Sequence, residues 1–445
     1  MNLRYPLLFA LAVLLASGVP AFGQSNGSNS PYSRFGLGLT NDQSQGFNRS
    51  MGGVAQGLRS GQRVNLQNPA SYSAIDSLTF IFDVGMGLQR TRLAQDGSHQ
   101  YANNTSFDYV NIAFRLRKGL GMSVGFLPYT SIGYTFTKEH FVMNDALSNK
   151  TITQEQSYSG SGGLHQVYLG AGWSPFKNLS VGANFGFLWG DIDNGVTQSF
   201  AENGTQNLTS YGGLVTLYDA ALRTWKADIG VQYDLELDSK NALTLGATVG
   251  IGHKIASDAD LFRISLNGDT ILRTANKAYE LPMTYSVGAA WSHDKKLTVA
   301  ADFAMEMWGN CTTPQITNPG SDANSTDYSA TTGAYTNRFR INTGVEYVPA
   351  RFDRNYFKRI NYRAGLYYAS PHLKINGLNG PREFGITAGL GLPITNRWNS
   401  GSYVNFGVQW SHRSASASSL VTENIFRINI GLTFNEAWFM KWRFK

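Results

Sequence analysis

Residues 179–190 read Leu-Ser-Val-Gly-Ala-Asn-Phe-Gly-Phe-Leu-Trp-Gly, with large apolar side chains at the odd positions and small or polar ones at most even positions. Successive side chains of a β-strand point to opposite faces, so this alternation predicts a strand with one apolar face. Residues 243–252 and 426–434 repeat the pattern. We therefore predict an all-β protein.

Segments with the same alternation recur along the chain. The candidate strands begin near Leu78, Phe107, Leu120, Gly163, Leu179, Trp225, Leu243, Met283, Leu297, Arg338, Ile360, Phe384, Tyr403 and Glu423. Short polar turns (117–119, 174–178, 236–241, 292–296) alternate with long loops (near 131–162, 191–222, 255–282, 309–336). Outer-membrane barrels have even strand numbers and this asymmetry of turns and loops. The prediction is a transmembrane antiparallel β-barrel of about 14 strands.

A soluble sandwich or propeller is the rival interpretation, because its strands also alternate around a dry core. Only 15% of the 445 residues are charged, against roughly 25% in ordinary soluble domains. The polar faces nevertheless carry mid-strand charges, which a wet or plugged lumen accepts. Aromatic residues at strand ends suit an interfacial girdle, and they include Trp173, Trp189, Trp291, Trp308, Tyr347 and Trp410. The mid-strand charges and the aromatic residues at strand ends both favour the barrel.

Residues 24–77 precede the first strand and differ from it in composition. A barrel of about fourteen strands encloses more space than its side chains fill, since ~8 strands already surround a packed interior. Gly52 and Gly53 permit tight bends in a confined space, and Asn68-Pro69-Ala70 favours a turn. We predict that this segment is a plug inside the barrel formed by residues 78–434.

The two ends of the chain carry further segments. Arg4, the apolar residues 7–15 and Ala21-Phe22-Gly23 predict a secretory signal over residues 1–23. Residues 435–445 mix aromatic and basic side chains, which suits the inner headgroup layer of an outer membrane. This tail is predicted to be an interfacial anchor or a docking site for a periplasmic or membrane protein partner. The predicted location is the bacterial outer membrane, crossed many times.

A glycine-rich stretch with Gly52 and Gly53 leads into Asn68-Pro69-Ala70 and precedes about fourteen predicted strands. In this arrangement the chain resembles the FadL-type long-chain fatty-acid and hydrocarbon transport porins. The resemblance implies an N-terminal hatch and passive uptake of hydrophobic, fatty-acid-like molecules with lateral release. The sequence departs from the family at residues 63–66, Arg-Val-Asn-Leu, where acidic and small residues are more common.

The resemblance also implies a lateral gate in a kinked third strand, here residues 120–129 with Gly125 and Pro128. Proline cannot donate to the ladder, so Pro128 weakens strand pairing there, or alternatively only ends the strand. Residues 32–39, with Phe35 and Leu37, would contact the ligand and shift on release. Docking of this segment against the barrel wall is the structural alternative.

Two arginines are candidates for a carboxylate head group. Arg363 and Arg427 occupy mid-strand positions on polar faces, and arginine binds carboxylates through paired hydrogen bonds. The alternative is that they form ion pairs inside the lumen with Asp83, Asp302 or Glu346.

Catalytic and metal motifs are weak. His412-Arg413-Ser414 with Glu423 has the outline of a lipid hydrolase site. Asp191 and Asp193 lack the rest of an EF-hand loop, and the sequence has neither a Walker loop nor a His/Cys zinc cluster. The net charge of +7 is spread along the chain, so nucleic acid is not an expected partner. We expect no enzymatic activity, cofactor or metal.

Because fold does not determine function, a second hypothesis stands beside the channel. It is a non-transporting barrel that serves as a subunit or scaffold of an outer-membrane protein assembly complex. The expected partners are outer-membrane lipids, with a hydrophobic small molecule under the first hypothesis and other outer-membrane or periplasmic proteins under the second.

Overall fold

The computed structural model describes residues 29–77, 79–145, 150–202, 213–265, 270–318, 327–396, 399–415 and 420–437. The predicted signal segment lies outside the described residues, and so does the tail beyond residue 437. Residues 435–437 continue the last strand. No helix among the described residues has the length and apolar character needed to cross a membrane.

The barrel consists of fourteen antiparallel strands. They are β1 Thr79–Gln95, β2 Ser98–Arg117, β3 in two parts (β3a Leu120–Pro128, β3b Thr130–Asp145), β4 in two parts (β4a Lys150–Gly162, β4b His165–Trp173), β5 Leu179–Glu202, β6 Leu214–Glu236, β7 Asn241–Gly250, β8 Thr284–His293, β9 Leu297–Glu306, β10 Arg338–Tyr347, β11 Asn361–Ala369, β12 Arg382–Asn396, β13 Asn399–Ser414 and β14 Thr422–Ala437. β14 pairs with β1, which closes the sheet. The predicted 14-stranded barrel is confirmed, and its closure is what a sheet that spans a membrane requires.

Burial in the barrel wall is inverted relative to a soluble sandwich. In β5, Phe185 is 62% exposed whereas its neighbour Asn184 is 2% exposed. The same contrast recurs around the wall, where outward Leu169, Ile229 and Val287 are exposed. Apolar side chains therefore face lipid and polar ones face the interior, as expected for a membrane barrel.

The loops at one end are more ordered than the alternation predicts. Residues 131–162 were expected as a loop but form β3b and β4a, and much of 191–222 belongs to β5 and β6. They lack the outward apolar pattern of a membrane strand: in β3b the apolar Ile132 and Tyr134 face inward and are buried, whereas Thr135 and Thr137 are exposed. Residues 255–282 add a hairpin of Ala259–Ser265 and Thr270–Ala275, the first of which pairs with β6. Residues 309–336 contain a second hairpin, Thr313–Asn318 with Asp327–Thr331.

The described part of the N-terminal segment, residues 29–77, has little regular structure of its own. It contains 3-10 helices at Pro31–Arg34 and Pro69–Ala74, a helical turn at Gly46–Arg49, and a two-residue strand, Leu39–Thr40. That strand pairs with Ser131 and Thr130 of β3b. Phe47, Met51 and Val54 are buried together with Ala290 and Ala300 of the wall. The segment thus lies inside the lumen.

Candidate functional site

The plug, residues 29–77, rests directly on glycines of the barrel wall. A Cβ at any of these wall positions would meet plug atoms: Gly121, Gly172, Gly182, Gly230, Gly246, Gly344, Gly365, Gly389 and Gly407. They come from nine different strands, so the plug is enclosed around most of the circumference. Where backbone approaches backbone this closely, no larger residue fits.

The predicted plug motif lies at this contact. Asn68 caps the 3-10 helix by accepting from the Ala70 amide at 3.2 Å, and its amide donates to the Gln56 carbonyl at 2.9 Å. Pro69 packs against Gly172 and Gly182 of the wall. The motif is therefore a part of the plug that packs directly against the wall.

Gly52 and Gly53 form a tight turn of the plug. Both have positive φ, 71° and 81°, a region that favours glycine. The amide of Gly52 donates to the hydroxyl of Thr387 at 2.8 Å, which fixes the turn to β12.

Arg363 belongs to a buried ion pair at the plug–wall contact. Its Nε lies 2.7 Å from Glu346 Oε2, and Arg63 of the plug donates to the same carboxylate at 2.8 Å. Its Nη1 also donates to Asn405 at 2.7 Å. Arg363 has the expected ion-pair partner Glu346 and does not line the cavity described next.

A cavity of about 510 Å³ lies beside the plug. Arg427 lines it and pairs with Asp108, which also pairs with Arg49 of the plug. Elsewhere on the wall, Arg413 of β13 forms ion pairs with Glu383 of β12 and Glu423 of β14, each at 2.8 Å. The lining thus contains several mutually paired charges.

Asp42 of the plug joins this polar network. Burial raises the pKa of its carboxyl, but Arg340 and Arg49 and hydrogen bonds from Ser44 outweigh burial and lower the pKa to about 2. The carboxyl oxygen lies 3.9 Å from both guanidinium groups. Asp42 is therefore ionised at neutral pH, and it ties the plug to β10.

Residues 29–40, here called the latch, hold Phe35 and Leu37. Leu37 is buried and Phe35 partly buried in an upper apolar cluster, which includes Leu164, Leu188, Leu222, Leu261, Leu281, Trp308 and Tyr335. Trp308 was expected in the aromatic girdle but is buried here, because the loop after β9 folds inward. The cluster packs the ordered loops together above the cavity.

Both ends of the latch are attached to the barrel. The Ser30 hydroxyl donates to Glu423, and the Tyr32 hydroxyl donates to the Val421 carbonyl. The Asn29 amide donates to Asn104 of β2 at 2.6 Å, while Leu39–Thr40 pairs with β3b. The latch therefore spans from β2 to β3b.

The strand ladder is interrupted between β2 and β3. β3a pairs with residues 110–117 of β2, but no described strand pairs with residues 98–109 of β2 on that side. Pro128 is the last residue of β3a and lies beside this break, where its carbonyl accepts from Gln43 at 3.3 Å. Gly125 lies below it in a continuous ladder, opposite Asn111 and Tyr168. Residues on both sides of the break line the cavity.

The break coincides with a bend that crosses three strands. The amides of Tyr129 and Thr130 both donate to the Leu164 carbonyl, at 2.7 and 3.1 Å. Gly163, between β4a and β4b, and Gly190 in β5 have φ of 126° and 156°. The kink was expected at Pro128, and these two glycines do not stand out in the sequence because glycine is frequent throughout the chain.

The catalytic outline at the end of β13 does not assemble. His412 bonds Asn424 at 2.8 Å, whereas Glu423 faces the lumen and pairs with Arg413. Neighbouring residues of a strand point to opposite faces, so His412 and Glu423 are separated by the wall. Within the described ranges, no group of three or more His, Cys, Asp or Glu side chains is placed to bind a metal ion.

Solved structures share the fold of this protein. The Ralstonia pickettii toluene transporter TbuX superposes with a TM-score of 0.54 at 14% identity, covering 91% of this chain and 98% of its own. The Pseudomonas putida toluene transporter TodX gives 0.56 at 14%, covering 91% and 100%. A Pseudomonas aeruginosa FadL homologue gives 0.56 at 10%, covering 89% and 99%. The chain has the fold of these bacterial barrels, of which TbuX and TodX are transporters and not enzymes.

A family model gives a more specific assignment than the fold. The family model described as BamG matches residues 7–445, so the chain belongs to the BamG family. No curated protein matches the chain. The expected FadL resemblance thus holds for the fold.

Proposed function

We propose that this protein is a non-transporting barrel that serves as a subunit or scaffold of an outer-membrane protein assembly complex. The observation that carries the proposal is the ion-paired lining of the cavity. Binding sites for apolar molecules are lined mainly by apolar and aromatic side chains. Here Asp42, Arg49, Asp108, Glu383, Arg413, Glu423 and Arg427 face the same space.

A hydrocarbon in this cavity would remove water from charged groups without replacing their hydrogen bonds. Such desolvation costs several kcal/mol per ion, whereas burial of one methylene contributes about 0.8 kcal/mol. The plug and the upper apolar cluster also border this cavity, through Asp42 and Arg49 and through Leu373. This balance favours a lumen that does not carry apolar molecules.

The family description, BamG, hints at the same role without stating a partner. A barrel with a filled lumen still offers its outer surface, loops and turns to other proteins. Under this proposal the partners are outer-membrane or periplasmic proteins, with outer-membrane lipids around the wall.

Passive uptake of hydrophobic, fatty-acid-like molecules is the second candidate, and the break between β2 and β3b favours it. An opening there would release a molecule sideways into the outer leaflet. Movement of the latch would then uncover Phe35 and Leu37, and Arg427 would meet a carboxylate head group. Arg363 would need to leave Glu346 to take part.

The test is native mass spectrometry of the protein extracted gently from its own membrane. A stoichiometric protein partner on a barrel free of apolar small molecules is expected. A lone barrel retaining fatty acid or a hydrocarbon would favour the channel and contradict the scaffold.

Uptake of a fluorescent fatty acid by proteoliposomes gives an independent readout. We expect the rate to equal that of protein-free liposomes. Faster uptake, abolished by a cross-link between the latch and β3b, would instead support the channel.

A further inference from the structure

The upper half of β2 is a sheet edge whose hydrogen-bonding phase can be assigned. Asp96 and Gly97 join β1 to β2 with φ of 49° and 81°, which identifies a two-residue type I′ hairpin. The flanking residues Gln95 and Ser98 therefore exchange both backbone hydrogen bonds. From there the register is uninterrupted down to Met86 and Phe107.

This phase fixes which backbone groups of β2 face away from β1. Alternate residues bond to β1, so those at His99, Tyr101, Asn103 and Thr105 direct their N–H and C=O groups to the open side. No described strand pairs with them there. Tyr101 is half exposed, and Asn103 and Thr105 are also exposed.

The edge lacks the usual protection against strand addition. Natural edge strands are commonly shielded by lysine, proline, bulges or short length. Residues 98–107 contain neither lysine nor proline, and the register shift of β2 lies below them, near Asp108. Ten consecutive residues thus present a regular ladder.

The facing edge of the same break already binds extended chain. Leu39–Thr40 of the latch pairs with Thr130 and Ser131 of β3b. Behind the break the cavity is polar, and Asn104 Nδ2 and His165 Nδ1 beside it have no hydrogen-bond partner among the described residues. Main-chain amides match such surroundings, whereas an alkyl chain does not.

We propose that the open edge of β2 binds an extended segment of a partner polypeptide, which adds to the barrel wall as a strand. This inference rests on the proposed assembly role and names the surface that performs it. Main-chain hydrogen bonds supply the affinity in such strand addition, and side-chain contacts supply the selectivity.

Hydrogen exchange tests the occupancy of the edge. The peptide covering residues 98–108 should exchange about ten-fold more slowly in isolated outer membranes than in the purified, detergent-dissolved barrel. Residues 80–94, paired on both sides, serve as an internal reference that should not differ. Equal exchange of 98–108 in the two states would overturn the proposal.

Two variants of one residue separate backbone pairing from side-chain contact. Asn103→Pro removes an N–H that points away from β1 and puts a ring in its place, so the β1 ladder stays intact. Asn103→Ala keeps the N–H. Folding of both is checked by the faster gel mobility of an unboiled barrel.

We expect Asn103→Pro to lose both the slow exchange and the co-purifying protein, and Asn103→Ala to keep both. Full retention of the protein partner by Asn103→Pro would overturn strand addition yet leave the assembly role standing through another surface. Absence of any partner from the wild type would contradict the assembly role itself.

Discussion

Gly246 illustrates how single residues determine the seat of the plug. A Cβ on this residue of β7 would collide with the backbone carbonyl of Gln56. That carbonyl also accepts from Gln232 and Asn68, each at 2.9 Å. The plug therefore has little freedom to move away without losing buried hydrogen bonds.

We predict that Gly246→Ala loosens the plug and lowers stability by about 1–3 kcal/mol, the usual cost of overpacking. The measurements are the denaturant midpoint and the entry of a large antibiotic into cells. Gly195→Ala is the matched control, because its nearest neighbour is the Ser159 hydroxyl at 3.2 Å, away from the plug. Equal denaturant midpoints and equal antibiotic entry in the two variants would contradict a tight contact between the plug and Gly246.

His372 gives the upper loops a dependence on pH. Burial, then the nearby Arg338 and Arg413, hold its pKa well below 6.5, with Glu383 opposing. A histidine with a lowered folded-state pKa stabilises the fold above its unfolded pKa and loses that contribution as the pH falls.

We therefore expect the loops around Trp308 and Tyr335, which pack on His372, to be cut faster by protease near pH 5.5 than near pH 7.5. His372→Phe should remove most of the difference. An unchanged pH dependence in that variant would assign the effect to other groups.

At the scale of elements, the bend across β3, β4 and β5 follows from backbone geometry. Gly163 has a φ of 126°, and a Cβ there would collide with the Thr130 carbonyl. Pro128 only precedes the bend, whose shared hydrogen bonds start at Tyr129. The bend should therefore persist without the proline.

Spin labels at Thr105 and Thr135, one on each side of the break, test this. Pro128→Val should leave the label distance unchanged, whereas Gly163→Ala should change it because the left-handed backbone is strained. A shorter distance in Pro128→Val would mean that the proline causes the break between β2 and β3b.

The same strands show which parts of the fold the sequence pattern could predict. The strand number was predictable because lipid imposes apolar side chains on alternate positions, as at Phe185 and Ile229. β3b and β4a were missed because a strand beyond the membrane needs no apolar outer face, and in β3b the outward Thr135 and Thr137 are polar. Ion-pair partners such as Asp108 for Arg427 were not predictable, since they join distant strands and depend on barrel register.

For the whole molecule, the barrel and its plug differ in how they are held. Every barrel strand pairs with a neighbouring strand on each side over at least part of its length, whereas the plug has only short helices and a two-residue strand. Segments with little structure of their own open at lower free energy than core strands. The plug should therefore leave the lumen before the wall unfolds.

Planar-bilayer recordings test this order. We expect no steady conductance in buffer and a reversible conductance in moderate urea, as the plug leaves an intact barrel. Ser50 Cβ lies 3.7 Å from the position of a Cβ on Gly407, which fits a disulfide. Ser50→Cys with Gly407→Cys should remain silent in urea until a reductant is added, and each single variant should conduct like the wild type. Conductance by the oxidised double variant would mean that the current does not pass through the space the plug occupies.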